Sequence, residues 1–189
     1  RKVARAIEWP PAKAYFALLA ETGLRPGELL NAKIQDLDLK ERILWIKRLN
    51  STSKRAYFSF FSEKLREYLE KNYLPYRNEF IESKEIFVKK LFRGSTEEWK
   101  YLLFPFKDSA IRASIYEAMY KVLGRGFRLY NLRAHFTTYM SLKGLPGQVI
   151  DILQGRTPPK EFQILTKHYL AFRIGDLRKI YDEAKLEVL

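Results

Sequence analysis

Apolar residues recur at helical spacing in stretches that each end on a glycine, and this constrains the fold more than any other feature. From Pro11 to Thr22 the apolar positions Tyr15, Phe16, Leu18 and Leu19 follow an opening proline and stop at Gly23. Ser109 opens a second stretch, with Ile111, Ile115, Ala118, Met119 and Val122 on one side and Gly124 behind it. Tyr130 to Lys143 ends on Gly144, and Pro146 to Leu153 runs up to Gly155. Proline in a first turn and glycine past the last turn are start and stop signals for helices. Further helices are expected from Pro26 to about Lys33, from the cap residue Ser62 through Leu65, Leu69 and Tyr73 to a stop at Pro75, over Asn78 to Lys90, over Lys160 to Phe172, and from Asp176 to about Leu186. Only Arg42 to Arg48 and Ala56 to Phe61 read as strands, around the polar turn Leu49 to Arg55. Arg93-Gly94-Ser95 reads as a turn. The expected fold is mainly α with a small β-hairpin or sheet, an α+β domain.

Charge narrows the partners. The 189 residues carry 35 Lys and Arg against 22 Asp and Glu, a net +13, while 47% of them are hydrophobic, enough to bury a core. One compact basic domain is expected, and a start at Arg1 suggests an N-terminal part that precedes it. No apolar run approaches the roughly 18 residues that span a bilayer. Positive charge at this density favours a polyanion, because each phosphate neutralised releases counterions. Nucleic acid fits better than an anionic membrane surface, since the basic residues are spread along the whole chain rather than along one amphipathic helix. The absence of cysteine excludes disulfides, thiolate metal sites and cysteine nucleophiles, and two histidines, His135 and His168, cannot build a histidine-rich metal site. Asp36 and Asp38 have no further carboxylate cluster beside them, so no metal and no cofactor are expected.

Three patches are hard to explain as core alone. In Thr22-Gly23-Leu24-Arg25-Pro26-Gly27-Glu28, glycine and proline bracket an arginine at a helix-helix corner. The corner can present the guanidinium inward, or leave it on the surface paired with Glu28 three residues on. In the second patch, from Leu129 to Met140, Arg133 stands between Leu132 and Phe136 near the core side of a helix, where an arginine is costly unless it meets an anion. The third, Leu153-Gln154-Gly155-Arg156, is followed 13 residues later by Tyr169.

Together the patches resemble the tyrosine recombinase (phage integrase) family. Its catalytic domain carries an arginine in a TGLR-x-x-E-L corner, a lysine in a β-hairpin turn, a His-x-x-Arg helix, a Gly-His or Gly-Trp step and a C-terminal tyrosine nucleophile. Counterparts of all five occur in order between about Pro11 and Phe172, and the pattern is most similar to the archaeal and archaeal-virus integrases. The resemblance makes Arg25 and Arg133 the phosphate-clamping arginines, Tyr169 the nucleophile and a hairpin lysine the general acid. Lys54, in the turn, is preferred to Lys47, which falls in the expected strand; Lys47 stays open as the alternative. Two positions depart from the family pattern: Tyr130 replaces the histidine of the second arginine box, and Arg156 the residue after the glycine. Both keep a donor for phosphate but neither is a general base. Pro158-Pro159 also lengthens the step to Tyr169.

The chemistry accounts for these residue types. Attack on a phosphodiester builds charge on the non-bridging oxygens, and preorganised arginines can meet it without a metal. A phenol is a weak nucleophile near neutrality, and an arginine-rich pocket favours its phenolate. The resemblance implies a 3′-phosphotyrosine intermediate, site-specific integration or excision of a mobile element, double-stranded DNA bearing an attachment site as partner, a homotetramer on DNA with a chain that can be monomeric when free, and a cytoplasmic, nucleoid-associated location. It also implies that residues 1–189 form the C-terminal catalytic domain, the N-terminal DNA-binding domain lying outside them, with the helix from Asp176 onward a candidate for exchange between neighbours. A type IB topoisomerase-like nicking-closing enzyme and a non-catalytic basic DNA-binding module are the alternatives. His168 reads as structural or DNA-facing, and His135 as a packing or helix-surface residue.

Overall fold

The computed structural model describes residues 1–46, 57–83, 97–154 and 174–189. Among them the helices are α1 (Lys2–Ala6), α2 (Pro10–Thr22), α3 (Pro26–Leu30), α4 (Glu63–Tyr68), α5 (Leu74–Ser83), α6 (Asp108–Leu123), α7 (Asn131–Leu142), α8 (Gly147–Leu153) and α9 (Ile174–Glu183). Three short strands, β1 (Leu37–Asp38), β2 (Ile43–Ile46) and β3 (Tyr57–Phe60), form an antiparallel sheet in sequence order.

The core is organised around α2. Eleven of its 13 residues are buried, so it is apolar all round rather than on one stripe, as a central helix must be. Helices α1, α3, α4, α6 and α7 and strand β3 pack against it, and α8 packs on α7 and β3. The sheet caps the far end of α2: Ile43 pairs with Phe60 and Ile46 with Tyr57, while Leu37 of β1 pairs with Leu44. Phe60 meets Tyr181 of α9 at a tilt and Tyr15 of α2 meets Phe104 edge-on, so aromatic rings join the sheet, the C-terminal helix and the segment before α6 to one core.

Most expected boundaries hold within two residues. Gly23 and Gly124 end α2 and α6 in the left-handed conformation, with φ of 66° and 68°, the backbone state that glycine adopts without steric cost. The Ser62 side chain caps α4 by accepting the Leu65 N–H at 3.2 Å.

Five expectations need correction. The helix expected from Asn78 begins earlier, at Leu74, because the chain runs straight into it from the preceding turn. Pro75 does not stop the helix that begins after Ser62. A π turn over Leu69–Tyr73 precedes it, with the Leu74 N–H reaching Leu69 O, and Pro75 then falls in the first turn of α5, where a missing N–H costs nothing. The helix after Pro26 is shorter than expected, ending at Leu30 with Asn31 as its cap. The sheet has a third strand, β1, too short to leave an alternating pattern. Helix α9 begins at Ile174 and ends at Glu183 rather than near Leu186, because Lys185 turns with φ 53° and the chain continues as an extended tail whose Leu186 and Val188 are buried. The expected turns at Leu49 to Arg55 and Arg93 to Ser95, the end of the helix expected over Asn78 to Lys90, and the helix expected over Lys160 to Phe172 lie outside the described residues.

Buried polar groups bind distant segments together. Tyr73 donates its hydroxyl to Leu103 O, and Arg77, itself buried, donates to Lys100 O and to Leu102 O. These bonds hold the chain ahead of α6 against α5. The C-terminal tail is held by Tyr139, whose single hydroxyl proton lies within reach of both Ala184 O at 3.1 Å and Lys185 O at 3.0 Å, and by Glu21, whose carboxylate accepts the Val188 N–H.

Candidate active site

The corner between α2 and α3 is built by short-range bonds. The Thr22 hydroxyl donates back to Leu18 O and accepts the Leu24 N–H, while Gly23 turns the chain. A Cβ on Gly23 would lie 2.8 Å from Gln154 Nε2 and 2.8 Å from Phe136 Cδ1, so close approach as well as positive φ requires glycine here. Arg25 then opens α3. Its backbone N–H donates to Glu28 Oε2 at 2.9 Å and its Nη1 to Glu28 Oε1 at 2.7 Å. The side chain is 44% exposed, so of the two sequence readings the ion pair with Glu28 is present and the guanidinium faces outward.

Arg133 is 1% exposed on α7, as its place between Leu132 and Phe136 predicts. Its Nη1 donates to Gly23 O at 2.7 Å and its Nη2 to Gln154 O at 3.0 Å. One planar guanidinium therefore ties the corner that carries Arg25 to the end of α8. These bonds fix its plane, the property that makes arginine a directional anion ligand. Tyr130 precedes α7 by one residue and is 53% exposed; its carbonyl accepts the Arg133 N–H at 3.1 Å, so the two positions stand one turn apart.

Arg25, Tyr130 and Arg133 thus share one end of the molecule. Lys54, Arg156 and Tyr169, with Lys47 and His168, lie outside the described residues. The described chain nevertheless leads to two of them. Gln154, two residues before Arg156, has its carbonyl on Arg133. Strand β3, which begins three residues after Lys54 in the sequence, is docked on the same corner, Ser59 Oγ donating to Thr22 O at 2.9 Å and the Ser62 N–H just beyond it to Glu21 Oε2 at 2.8 Å.

Other candidates resolve into structural roles. Asp36 Oδ2 accepts the Lys33 N–H and Asp38 Oδ1 the Glu41 N–H, so both carboxylates build turns, and among the described residues no group of three His, Cys, Asp or Glu side chains gathers. Tyr15, Tyr73 and Tyr181 each donate to a backbone carbonyl, and burial pushes the hydroxyls of Tyr73 and Tyr181 up, opposite to what a nucleophile needs. His135 is an exposed residue of α7 whose ring lies 6.2 Å from that of Tyr139.

Two residues escaped the sequence reading. Glu21 is a carboxylate among the mostly apolar buried residues of α2, and Gln154 follows the buried α8 positions Val149, Ile150 and Leu153 at the next core spacing. A polar residue in a core register was the signal in both cases.

Comparison with known proteins places the chain. The model of the phage integrase family matches residues 8–169. The chain belongs to the phage integrase family. Tyrosine recombinase XerA of Saccharolobus solfataricus is 25% identical over 184 residues, 97% of this chain and 54% of that protein. The chain therefore spans about half the length of this curated relative. A crystal structure of XerA recombinase superposes with a TM-score of 0.64 at 22% identity, covering 99% of this chain and 63% of that one. The integrase from mycobacterium phage Brujita gives 0.59 at 18% identity, over 100% and 58% of the two chains. These structures share the mainly helical fold with its small sheet, as the family assignment requires. Among the described residues no helix is long and apolar enough to cross a membrane.

Proposed function

We propose that this chain is the catalytic domain of a site-specific DNA recombinase that breaks and rejoins duplex DNA through a tyrosine. The observation that carries the reading is the Arg133 guanidinium, buried and fixed on Gly23 O and Gln154 O, beside the corner that presents Arg25, in a chain of the phage integrase family.

The steps follow from charge and proton balance. The Tyr169 oxygen attacks the scissile phosphorus as the phenolate, its proton lost to solvent, forming a phosphotyrosine bond and breaking the bond to the 5′-oxygen. Arg25, Arg133 and Arg156 meet the charge that builds on the non-bridging oxygens. Lys54 gives its proton to the departing 5′-oxygen, and Tyr130 donates a hydrogen bond to a non-bridging oxygen. The phosphotyrosine keeps the phosphodiester's bond energy, so a 5′-hydroxyl from a second duplex can attack it and religate the strand. The net charge of +13 supports duplex DNA as the partner, and XerH recombinase, a protein of the same fold, has been solved bound to its difH DNA substrate. In the longer protein an N-terminal domain closes the grip on DNA, and four subunits assemble on two duplexes.

The test is a nicked suicide duplex carrying the attachment site, incubated in EDTA and run on a denaturing gel, with peptide mapping of any adduct. An adduct at Tyr169 is expected. Tight binding with no adduct points to a non-catalytic module, and relaxation of supercoiled plasmid by a monomer to a topoisomerase-like activity.

A further inference from the structure

Gln154 has no place in the chemistry above, yet it is fully buried and, among the described residues, both hydrogen bonds of its side chain lead to Arg133 or to Thr137 one turn on. Its side-chain Nε2 donates to Arg133 O at 2.9 Å, and its own backbone carbonyl accepts from Arg133 Nη2 at 3.0 Å. Its Oε1 lies 3.1 Å from the Thr137 hydroxyl, which also lies 3.1 Å from Arg133 O. The same Nε2 lies close to Gly23, where an added Cβ would come within 2.8 Å of it. Gly23 O in turn accepts Arg133 Nη1 at 2.7 Å. The Gln154 amide thus sits against both the backbone of Arg133 and the Gly23 corner whose carbonyl orients the guanidinium.

We propose that Gln154 is the positioning residue for Arg133, setting the plane in which the guanidinium meets the scissile phosphate; this rests on the reading of Arg133 as a phosphate clamp. Gln154 itself touches no reacting atom. A glutamine suits the place because its amide supplies one donor and one acceptor in a fixed plane. A leucine or methionine would fill the volume but leave the Arg133 carbonyl and the corner unregistered. Displacement of a charge-stabilising donor by a fraction of an ångström weakens transition-state binding while leaving most ground-state contacts intact.

The experiment compares Gln154→Met, Thr137→Val and Arg133→Ala with the unaltered chain on two suicide duplexes. One carries an ordinary scissile phosphodiester and the other an uncharged methylphosphonate at that position. Single-turnover cleavage, DNA affinity and thermal unfolding are measured for each. On the phosphodiester, Gln154→Met is expected to cleave roughly 10- to 100-fold more slowly with DNA affinity nearly unchanged. On the methylphosphonate, which has lost the charge the arginine meets, the deficit is expected to shrink toward none, as it must for Arg133→Ala. Thr137→Val, at a half-buried position, is expected to show the same selectivity with a smaller deficit, and it carries the test should Gln154→Met fail to fold. Equal slowing on both substrates, or no slowing, overturns the positioning role while Arg133→Ala remains impaired. Cleavage by Arg133→Ala at the unaltered rate overturns the clamp reading, and the positioning role with it.

Discussion

Glu21 provides a quantitative test of the packing that supports the corner. Its carboxylate is buried in the core, where Oε2 accepts the Ser62 N–H and Oε1 the Val188 N–H, each at 2.8 Å. Those two bonds favour the charged form, but burial outweighs them and pushes the carboxyl from its ordinary 4.5 up to about 7, with a small addition from Glu187 nearby. The folded state therefore holds a proton that the unfolded chain releases. Linkage then sets the sign: the stabilisation is fully present below about pH 4.5 and is lost as pH rises through about 7. A separation of about 2.5 pH units, at about 1.4 kcal/mol each, gives a loss on the order of 3 kcal/mol. Glu21→Gln has no proton to release and is expected to remove this slope. The assay is urea unfolding of both proteins at matched ionic strength across about pH 4.5 to 8, taking the difference in stability at each pH so that all other titrating groups cancel. The advantage of the unaltered chain over the variant is expected to fall by about 3 kcal/mol across that range. Parallel profiles for the two proteins would refute the reasoning.

Other perturbations probe the remaining links. Gly23→Ala combines left-handed strain with a Cβ driven against Gln154 and Phe136, and is expected to cost about 2 to 4 kcal/mol in denaturant unfolding and to slow cleavage. Tyr73→Phe leaves the buried Leu103 carbonyl without its hydroxyl donor and is expected to cost about 1 to 2 kcal/mol, with DNA cleavage unaffected once the protein is folded. Tyr169→Phe is expected to abolish the covalent adduct while DNA binding, followed by mobility shift, stays near that of the unaltered chain; adduct formation by this variant would displace the nucleophile. DNA affinity is expected to fall steeply as salt is raised, log K declining linearly with log salt, whereas a flat response would argue against phosphate contacts as the source of binding.

Helix positions were legible because they are set by interactions within a few residues. The first-turn proline and closing glycine of α2, the Ser62 cap and the apolar spacing of α6 are each complete within one segment, and each marks an element of the structure. Pro75 misled for the same reason. Read locally it is a stop, but a π turn that ends two residues upstream shifts it into a first turn where it is harmless. The candidate site was legible in part. The burial of Arg133 follows from its neighbours Leu132 and Phe136, while the outward, Glu28-paired pose of Arg25 was one of two readings the corner allowed.

By itself, then, the sequence determined the helical character of the chain, its positive charge, its lack of thiol chemistry and the order of the family's boxes along it. Only the tertiary structure decided what holds those boxes together. Arg133 reaches a carbonyl 110 residues away at Gly23 and another 21 residues away at Gln154, and Glu21 reaches N–H groups 41 and 167 residues away. Backbone carbonyls and N–H groups are present at every residue and carry no sequence signature. Which of them a buried charge will meet is therefore settled when the helices pack, and is written in no local pattern.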